Sequence, residues 1–174
     1  DITDVLPTGT VSKTGNVDSV PESGGNVVFT VLVTNTSPAE SVTVTSITDT
    51  IDGTTVDLTS VAGASVATNC ATGSVLAPGG TYGCEFTYAI PAGTAGDVVT
   101  DTVAVTLTDD EDNETTPTDT EEVEQTDVAP TITVVKDNGD AAVAAPGAPV
   151  DFDVAVTNTS FEPVTLTALT DSVD

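Results

Sequence analysis

The fold is decided by a stretch in which apolar and acidic side chains alternate, Val150-Asp151-Phe152-Asp153-Val154-Ala155-Val156. Successive side chains of a β-strand point to opposite faces of a sheet, so the pattern predicts a strand with one buried and one wet face. A register shift of one residue would bury the two aspartates, and this cost determines how the strand pairs. The rest of the chain is rich in Thr, Val and Ile and has no helical period, which predicts an all-β protein.

The same strand occurs earlier in the chain, because residues 3–52 recur as residues 126–174. Its inward positions Val27, Phe29, Val31 and Val33 return as Val150, Phe152, Val154 and Val156. After one deleted residue, the match runs from Val42, Val44, Ile47, Asp49 and Asp52 to Val164, Leu166, Leu169, Asp171 and Asp174. A repeat of this length is a whole domain. We therefore predict a complete β-sandwich repeat at 1–128 and the first strands of a second, truncated repeat at 129–174.

Further strands are predicted at 8–13, 42–49, 56–61, 82–90, 98–108 and 121–128, with turns rich in Gly, Pro and Asp between them. About seven short strands in one repeat are typical of two packed antiparallel sheets. We therefore predict an immunoglobulin-like two-sheet β-sandwich, repeated in tandem.

The charge of the chain is strongly acidic, with 28 acidic residues against two basic ones, no histidine and a formal net charge of -26. Such a surface repels polyanions, which excludes nucleic acid and anionic lipid as partners. Because 38% of the residues are hydrophobic and alternate regularly, we expect a packed core rather than disorder. The excess of acidic residues suits an exterior rich in salt or divalent cations, where counterions screen the repulsion between carboxylates within roughly 10 Å. No hydrophobic run is long enough for membrane insertion.

Cys70 and Cys84 are the only cysteines, and Pro78-Gly79-Gly80 between them allows the chain to turn back. We predict a disulfide between them, which implies an oxidising compartment and hence a secreted or cell-surface protein. The alternative is two buried free thiols. A zinc site is excluded because the chain has no histidine.

An acidic run lies between two predicted strands, Asp109-Asp110-Glu111-Asp112-Asn113-Glu114. Calcium takes roughly six to eight oxygen ligands and tolerates irregular loops, so this run predicts a calcium site. The candidate ligands are Asp109, Asp110, Asp112, Asn113, Glu114, Asp49 and Asp52. The last two lie outside the acidic run and are expected beside it, at the same end of the sandwich. The spacing does not match an EF-hand loop, and the alternative is a solvated acidic loop with loosely bound counterions.

Lys13 and Lys136 are the only basic residues and occupy equivalent strand positions. A buried lysine in a surface sandwich is a candidate for an isopeptide bond to Asn or Asp. The alternative is a plain salt bridge, or an edge lysine whose head reaches solvent. No partner for the bond is identifiable from the sequence. Three Asn-x-Ser/Thr sequons are candidate glycosylation sites, and they begin at Asn35, Asn113 and Asn158.

Several segments of the two copies, taken in chain order, match the pattern of a known family. In the second copy they are Thr133-Val134-Val135-Lys136, Pro146-Gly147, residues 150–160 and Leu169-Thr170-Asp171. In the first copy they are residues 76–86 and 105–110. These segments resemble the conserved repeat domain, a domain of unknown function, of prokaryotic cell-surface and secreted repeat proteins. The resemblance covers one repeat and the start of the next. It implies an immunoglobulin-like sandwich repeated in tandem as stalk or adhesive filler, and it implies no catalytic residues.

The sequence contains no catalytic constellation. It has no histidine, no Ser or Cys beside a base, and no Gly-rich loop followed by a helix that would cradle phosphate. We therefore expect a non-enzymatic structural or adhesive spacer module of an acidic extracellular repeat protein, with neighbouring repeats as partners. Two alternatives stay open. One is a fibre subunit completed by strands donated from a neighbouring chain, and the other is a calcium-dependent module that binds a ligand or glycan.

Overall fold

The computed structural model describes residues 4–60, 66–139 and 142–172. Within these ranges the chain forms strands and no helix, which confirms the predicted all-β class. The chain divides into two compact units, Asp1–Asp127 and Val128–Asp174. In the described part of the chain, no helix has the length and apolar character needed to cross a membrane.

The first unit contains strands β1 to β11, and the second contains β12 and β13. In chain order they are β1 Gly9–Gly15, β2 Ser19–Pro21, β3 Gly25–Asn35, β4 Val42–Ile51, β5 Thr54–Asp57, β6 Val66–Thr68, β7 Val75–Leu76, β8 Thr81–Ile90, β9 Val98–Thr108, β10 Glu114–Thr115, β11 Thr118–Thr126, β12 Ile132–Asp137 and β13 Asp153–Asn158.

The strands of the first unit form two sheets. One has the order β1-β3-β8-β6, and its pairs are antiparallel. The other has the order β2-β11-β9-β4-β5, with β10 beside β9, β7 beside β4, and a parallel pairing of β2 with β11. Neighbours that are distant along the chain, such as β3 with β8, arise because the chain crosses between the sheets. The predicted immunoglobulin-like sandwich is confirmed.

The inward-facing residues of both sheets form one continuous hydrophobic cluster. In β3 the residues Val27, Phe29, Val31 and Val33 are fully buried, whereas Leu32 between them is exposed, as the alternation predicts. Burial of each such side chain contributes roughly 1.5–3 kcal/mol. The facing sheet contributes Val42, Val44, Ile47, Ile51, Val99, Val103, Val105, Leu107 and Val123.

The longer observed strands overlap predicted ones. The predicted strand 150–156 is observed as β13, which begins later, at Asp153, and its side chains are exposed or half-buried rather than buried on one face. The predicted strand 121–128 is observed as β11, which begins and ends earlier. The predicted strand 56–61 overlaps β5, and its last residue, Val61, lies outside the described residues. Strands β2, β7 and β10 are absent from the sequence prediction, because two or three residues are too few to show alternation.

Strand β4 contains an irregularity that changes which residues face the core. Its pairing with β9 shifts between Val44 and Ser46, as expected for a β-bulge that inserts one extra residue. Val44 is buried before the bulge, and Ile47 and Asp49 are buried after it. The bulge therefore turns Asp49 into the core, whereas uninterrupted alternation would leave it in solvent.

The second unit repeats the first strand pairing of the first unit. Strands β12 and β13 pair in the register of β1 and β3, so Lys136 is opposite Val154 as Lys13 is opposite Val31. The repeat in the sequence is therefore also a repeat in the structure.

Cys70 and Cys84 form the predicted disulfide. Cys70 lies between β6 and β7, and Cys84 lies in β8, so the bond ties an irregular segment to a central strand. The described part of the chain has no free cysteine.

Reduction of the disulfide is expected to lower the free energy of unfolding of the first unit by about 3 kcal/mol, because the bond closes a loop of about 15 residues in the unfolded chain. The fold should persist, since the buried residues of β3 and β9 do not depend on the bond. Urea unfolding with and without reductant measures the loss. Cys70→Ala with Cys84→Ala is the control. Its free energy of unfolding should equal that of the reduced protein and should not change when reductant is added. Two alkylatable thiols in the native protein would contradict the prediction.

Candidate functional site

Lys13 is the only basic residue of the first unit, and it is buried in the core with 2% of its surface exposed. Its Nζ donates a 2.6 Å hydrogen bond to Asp49 Oδ1 and forms an ion pair with Asp101 Oδ1. The two aspartates are themselves 1% and 0% exposed. One lysine and two aspartates thus share a site away from solvent. We call these three residues the lysine cluster.

The two sheets supply opposite sides of the lysine cluster. Lys13 comes from β1 of one sheet, while Asp49 and Asp101 come from the adjacent strands β4 and β9 of the other. In the β4–β9 pairing, Asp49 is opposite Val103 and Asp101 is opposite Ile51, so the two acids are diagonal neighbours on one face. The cluster therefore spans the interior between the sheets.

Two aromatic rings line the lysine cluster. Phe29 of β3 and Phe86 of β8 are opposite each other, with ring centroids 5.2 Å apart. Lys13 Nζ lies 4.4 Å from the centroid of the Phe29 ring and 4.8 Å from that of Phe86. The ring faces attract a cation, and their apolar bulk keeps water away. The cluster thus lies in a low-dielectric environment, where unpaired charge is costly.

The charges of the lysine cluster do not balance when both aspartates are ionised, because one cation then faces two anions. Burial, together with the neighbouring Asp49, raises the pKa of the Asp101 carboxyl to about 8, although Lys13 acts in the opposite direction. Asp101 therefore carries a proton near neutral pH. Outside the cluster, no hydrogen-bond partner among the described residues reaches either oxygen of Asp101 or Oδ2 of Asp49.

The second unit carries counterparts of part of this site. Lys136 Nζ donates to both oxygens of Asp171, at 2.7 and 2.8 Å, and lies 4.4 Å from the ring centroid of Phe152. This ion pair is exposed, and its hydrogen bonds lower the pKa of Asp171. By the sequence repeat, the three residues correspond to Lys13, Asp49 and Phe29. The lysine, one aspartate and one ring are thus a recurring part of the repeat.

Asp101 is the member of the lysine cluster that the sequence analysis does not single out. Its signal is its position on β9, because Val99, Val103 and Val105 share its face and are buried with it. An aspartate in such an apolar series is predicted to face the core. For Asp49, the signal is the break in alternation at the bulge of β4.

A second group of acids lies around the loop between β9 and β10. Asp4, Glu40, Asp109 and Glu111 each place one carboxylate oxygen within 4.8 Å of the others, and we call them the acidic cluster. Asp109 Oδ1 accepts hydrogen bonds from the backbone amides of Glu111 and Asn113, at 3.0 and 2.8 Å. Asn113 Nδ2 donates to Asp4 Oδ2 at 2.9 Å. Hydrogen bonds from Asn113 and the loop backbone therefore hold the acidic cluster together.

Desolvation and neighbouring acids raise the pKa values of two carboxyls of the acidic cluster. Desolvation, followed by the charges of Asp4 and Asp109, raises the pKa of Glu40. The pKa of Glu111 is raised chiefly by its hydrogen bond with Asp110. These effects oppose the ionised forms, and a cation beside the carboxylates would relieve them.

The structure brings together only part of the predicted calcium set. Asp109 belongs to the acidic cluster and Asn113 supports it, whereas Asp110, Asp112 and Glu114 are exposed and outside it. Asp49 lies in the lysine cluster, and Asp52 lies in the turn between β4 and β5. Their predicted place beside the acidic loop is wrong, because β4 runs away from that loop at roughly 3.3 Å per residue.

The three predicted glycosylation sites have different surroundings. Asn35 is fully buried, and its Nδ2 donates to the carbonyl oxygens of Glu40 and Leu76 at 2.8 and 2.9 Å. A glycan on the folded unit is therefore excluded there, which corrects the prediction for this residue. Asn113 is half-buried in the acidic cluster, and Asn158 in the second unit is exposed.

No family model matches the chain, and no curated protein matches it. Solved structures with a similar fold include the ApaA protein of Bordetella pertussis, at 21% identity and a TM-score of 0.49, covering 70% of this chain and 96% of that one. The CARDB domain of a Pyrococcus furiosus protein, solved with di-metal ions, is 20% identical with a TM-score of 0.45, over 72% and 98% of the two chains.

BcpA, the major pilin subunit of Bacillus cereus, is also similar in fold, at 10% identity and a TM-score of 0.37. The match covers 87% of this chain and 55% of the pilin chain. At identities this low, these likenesses concern the fold alone.

Proposed function

We propose that the chain is a non-enzymatic structural spacer, a module of an acidic extracellular repeat protein. The observation that carries the proposal is the structural repeat, in which β12 and β13 pair in the register of β1 and β3. Units that repeat in this way suit a chain that gains length by the addition of units. The disulfide and the net charge of -26 support an extracellular setting.

One edge of the first sheet is partly protected against further strands. Strand β1 is an edge strand, and two of its backbone amides donate hydrogen bonds to side chains of β11. Lys13 N donates to Asp119 Oδ2 at 2.8 Å, and Gly15 N donates to Glu121 Oε1 at 3.4 Å. Occupied amides do not template another strand. This supports a first unit that stays separate from its neighbours.

An array of first units is expected to lengthen by a constant amount per unit. Chains with increasing numbers of copies of residues 1–131 should give a maximum dimension, measured by small-angle X-ray scattering, that grows linearly with copy number. Each unit should keep the same unfolding transition as a single copy. A maximum dimension that does not grow with copy number would contradict the spacer function.

A fibre subunit is the second candidate, and one observation on the second unit favours it. Phe152 and Val154 are 50% and 42% exposed, whereas their counterparts Phe29 and Val31 are fully buried. In the first unit, β8 pairs with β3 and helps to cover these positions. Strands with the alternation of β8, donated by a neighbouring chain, would cover the second unit in the same way.

The fibre candidate predicts association that depends on concentration and on the second unit. Light scattering of the whole chain should show a rising mass with concentration, and Phe152→Ser with Val154→Ser should abolish the rise by removing the apolar surface. Leu6→Ser, an exposed apolar position of the first unit, is the control and should leave association unchanged. A chain that stays monomeric at every concentration would reject the fibre candidate.

The acidic cluster supports a third property, calcium binding, in which oxygen ligands from Asp4, Glu40, Asp109 and Glu111 surround the ion. Millimolar calcium is then expected to raise the unfolding temperature of the first unit more than sodium at equal ionic strength, because only a specific site adds binding free energy. Differential scanning calorimetry measures both shifts.

Glu40→Gln with Glu111→Gln should remove the calcium increment and leave the general salt effect. Asp112→Asn with Glu114→Gln is the matched control, because it removes the same charge from exposed residues outside the cluster, and it should keep the increment. Equal shifts from calcium and sodium in all three proteins would show that the loop only attracts counterions.

A further inference from the structure

The lysine cluster contains the groups needed for a covalent link between the two sheets. We propose that Lys13 Nζ condenses with the Asp101 carboxyl to form an amide bond, and that Asp49 moves the protons. This bond goes beyond the spacer function, which does not require it.

The geometry places all three reacting groups in contact. Lys13 Nζ touches Asp101 Oδ1, and the two residues are held on facing sheets. Asp49 Oδ1 accepts a hydrogen bond from the same nitrogen at 2.6 Å, which is within reach of proton transfer. None of the three side chains is more than 2% exposed, so bulk water does not compete.

A plain ion pair leaves this site poorly satisfied. A buried ion pair recovers its desolvation cost only when its remaining hydrogen-bonding sites are also satisfied. Outside the cluster, no described residue satisfies the oxygens of Asp101 or Oδ2 of Asp49. An amide would replace the Lys13 ammonium and the Asp101 carboxyl by a neutral group. Its carbonyl oxygen could then accept a hydrogen bond from a protonated Asp49.

Asp101 is the better electrophile of the two acids. Burial raises its pKa, so it presents a neutral carboxyl whose carbon can be attacked, whereas Asp49 already accepts a hydrogen bond from the nucleophile. The rings of Phe29 and Phe86 fill the space beside Nζ and exclude the water that would hydrolyse the product. Groups held in contact within one molecule reach effective molarities of about 10⁵ M or more.

The steps balance without any other reactant. The Asp49 carboxylate takes a proton from the Lys13 ammonium, and the free amine attacks Cγ of the protonated Asp101 carboxyl to form the C–N bond. Asp49 returns its proton to a hydroxyl on Cγ, the C–O bond breaks, and water leaves. Asp49 then takes the extra proton from the nitrogen. The products are a neutral amide, one water and protonated Asp49, and nothing is oxidised or reduced.

Intact mass spectrometry of the whole chain, after reduction of the disulfide, tests the bond directly. The protein is expected to weigh less than its sequence requires by the mass of one water. A protein of full sequence mass overturns the proposal, and this result needs no variant that must fold.

Trypsin locates the bond, because it cuts after Lys and Arg and this chain offers only Lys13 and Lys136. In the denatured, reduced protein, cleavage is expected after Lys136 but not after Lys13, since an acylated lysine lacks the charge that trypsin recognises. Lys136 is thus an internal control, and cleavage after both lysines overturns the proposal. Digestion after Glu should yield one cross-linked pair of peptides that joins Lys13 to Asp101. A link to Asp49 instead overturns the assignment of roles.

Variants test the role that is assigned to each acid. Asp101→Ala should restore the full mass and the cleavage after Lys13. Asp101→Asn should lose no water, because the hydroxyl that leaves belongs to the Asp101 carboxyl, and a loss of water there overturns the proposal. Asp49→Asn should leave condensation incomplete, and an unchanged yield overturns its role in proton transfer. Asp119→Asn is the matched control, since the Asp119 carboxylate accepts a hydrogen bond from the Lys13 backbone amide rather than from Nζ, and this variant should keep the bond.

Discussion

Replacement of Lys13 by Met is expected to lower the free energy of unfolding of the first unit by about 3–5 kcal/mol. Met keeps the apolar stem but has no nitrogen that could pair with or bond to the carboxyls, so Asp49 and Asp101 stay buried together without a cation. The cost is their desolvation and mutual repulsion. Urea unfolding followed by tyrosine fluorescence reports the first unit alone, because Tyr82 and Tyr88 are the only tyrosines and the chain has no Trp.

The exposed counterpart of this site is the matched control. Lys136→Met removes the ion pair with Asp171, whose side chains are 33% and 60% exposed. Exposed ion pairs contribute little to stability, because water already solvates both partners. Thermal unfolding followed by circular dichroism, which senses both units, should therefore change little. Similar losses in the two variants would show that burial does not decide the effect.

A triple variant separates buried charge from other causes. Lys13→Met combined with Asp49→Leu and Asp101→Leu removes the charges of the lysine cluster, and it should be more stable than Lys13→Met alone. Neither protein can form an amide at this site, so their difference measures the unpaired carboxyls. A triple variant no more stable than the single one would contradict this account.

Phe29→Ala is expected to lower the free energy of unfolding by about 3–5 kcal/mol, because it removes a fully buried ring and leaves a cavity. The ring also contacts Phe86 and Lys13 Nζ, so its loss opens the lysine cluster to water. The same tyrosine fluorescence in urea measures the change, since both tyrosines lie on β8 next to β3.

Leu32→Ala on the same strand is the control for Phe29→Ala. Leu32 points away from the core and is 45% exposed. Its truncation should cost less than about 1 kcal/mol, because it creates no cavity and changes only strand preference. Equal losses at the two positions would show that the core does not lie on the predicted face of β3.

The buried face of β3 could be predicted from the sequence because alternation is a local property. Val27, Phe29, Val31 and Val33 face inward in β3 as their spacing predicts. The disulfide could also be predicted from the sequence, since the chain has only two cysteines and a turn separates them. The shortest strands could not be predicted from the sequence, because their pairing partners rather than their own residues make them strands.

The candidate sites depend on contacts that no local pattern encodes. The acidic loop shows an obvious run of acids, yet only Asp109 and Glu111 of that run join the acidic cluster, and Asp4 and Glu40 come from distant segments. Asp112 lies outside it with a φ of 65°, because the loop turns sharply there. Which acids meet is decided by the path of the backbone and not by their number.

By itself, the sequence determined the repeat, the all-β class, the buried face of β3 and the equivalence of Lys13 with Lys136. Only the tertiary structure decided that Lys13 meets Asp49 and Asp101. The bulge in β4 turns one acid inward, the β4–β9 pairing sets the other beside it, and the packing of the sheets brings the lysine to both. These residues are far apart along the chain, and the cost of burying charge specifies only that they must be paired, whereas the topology selects the partners.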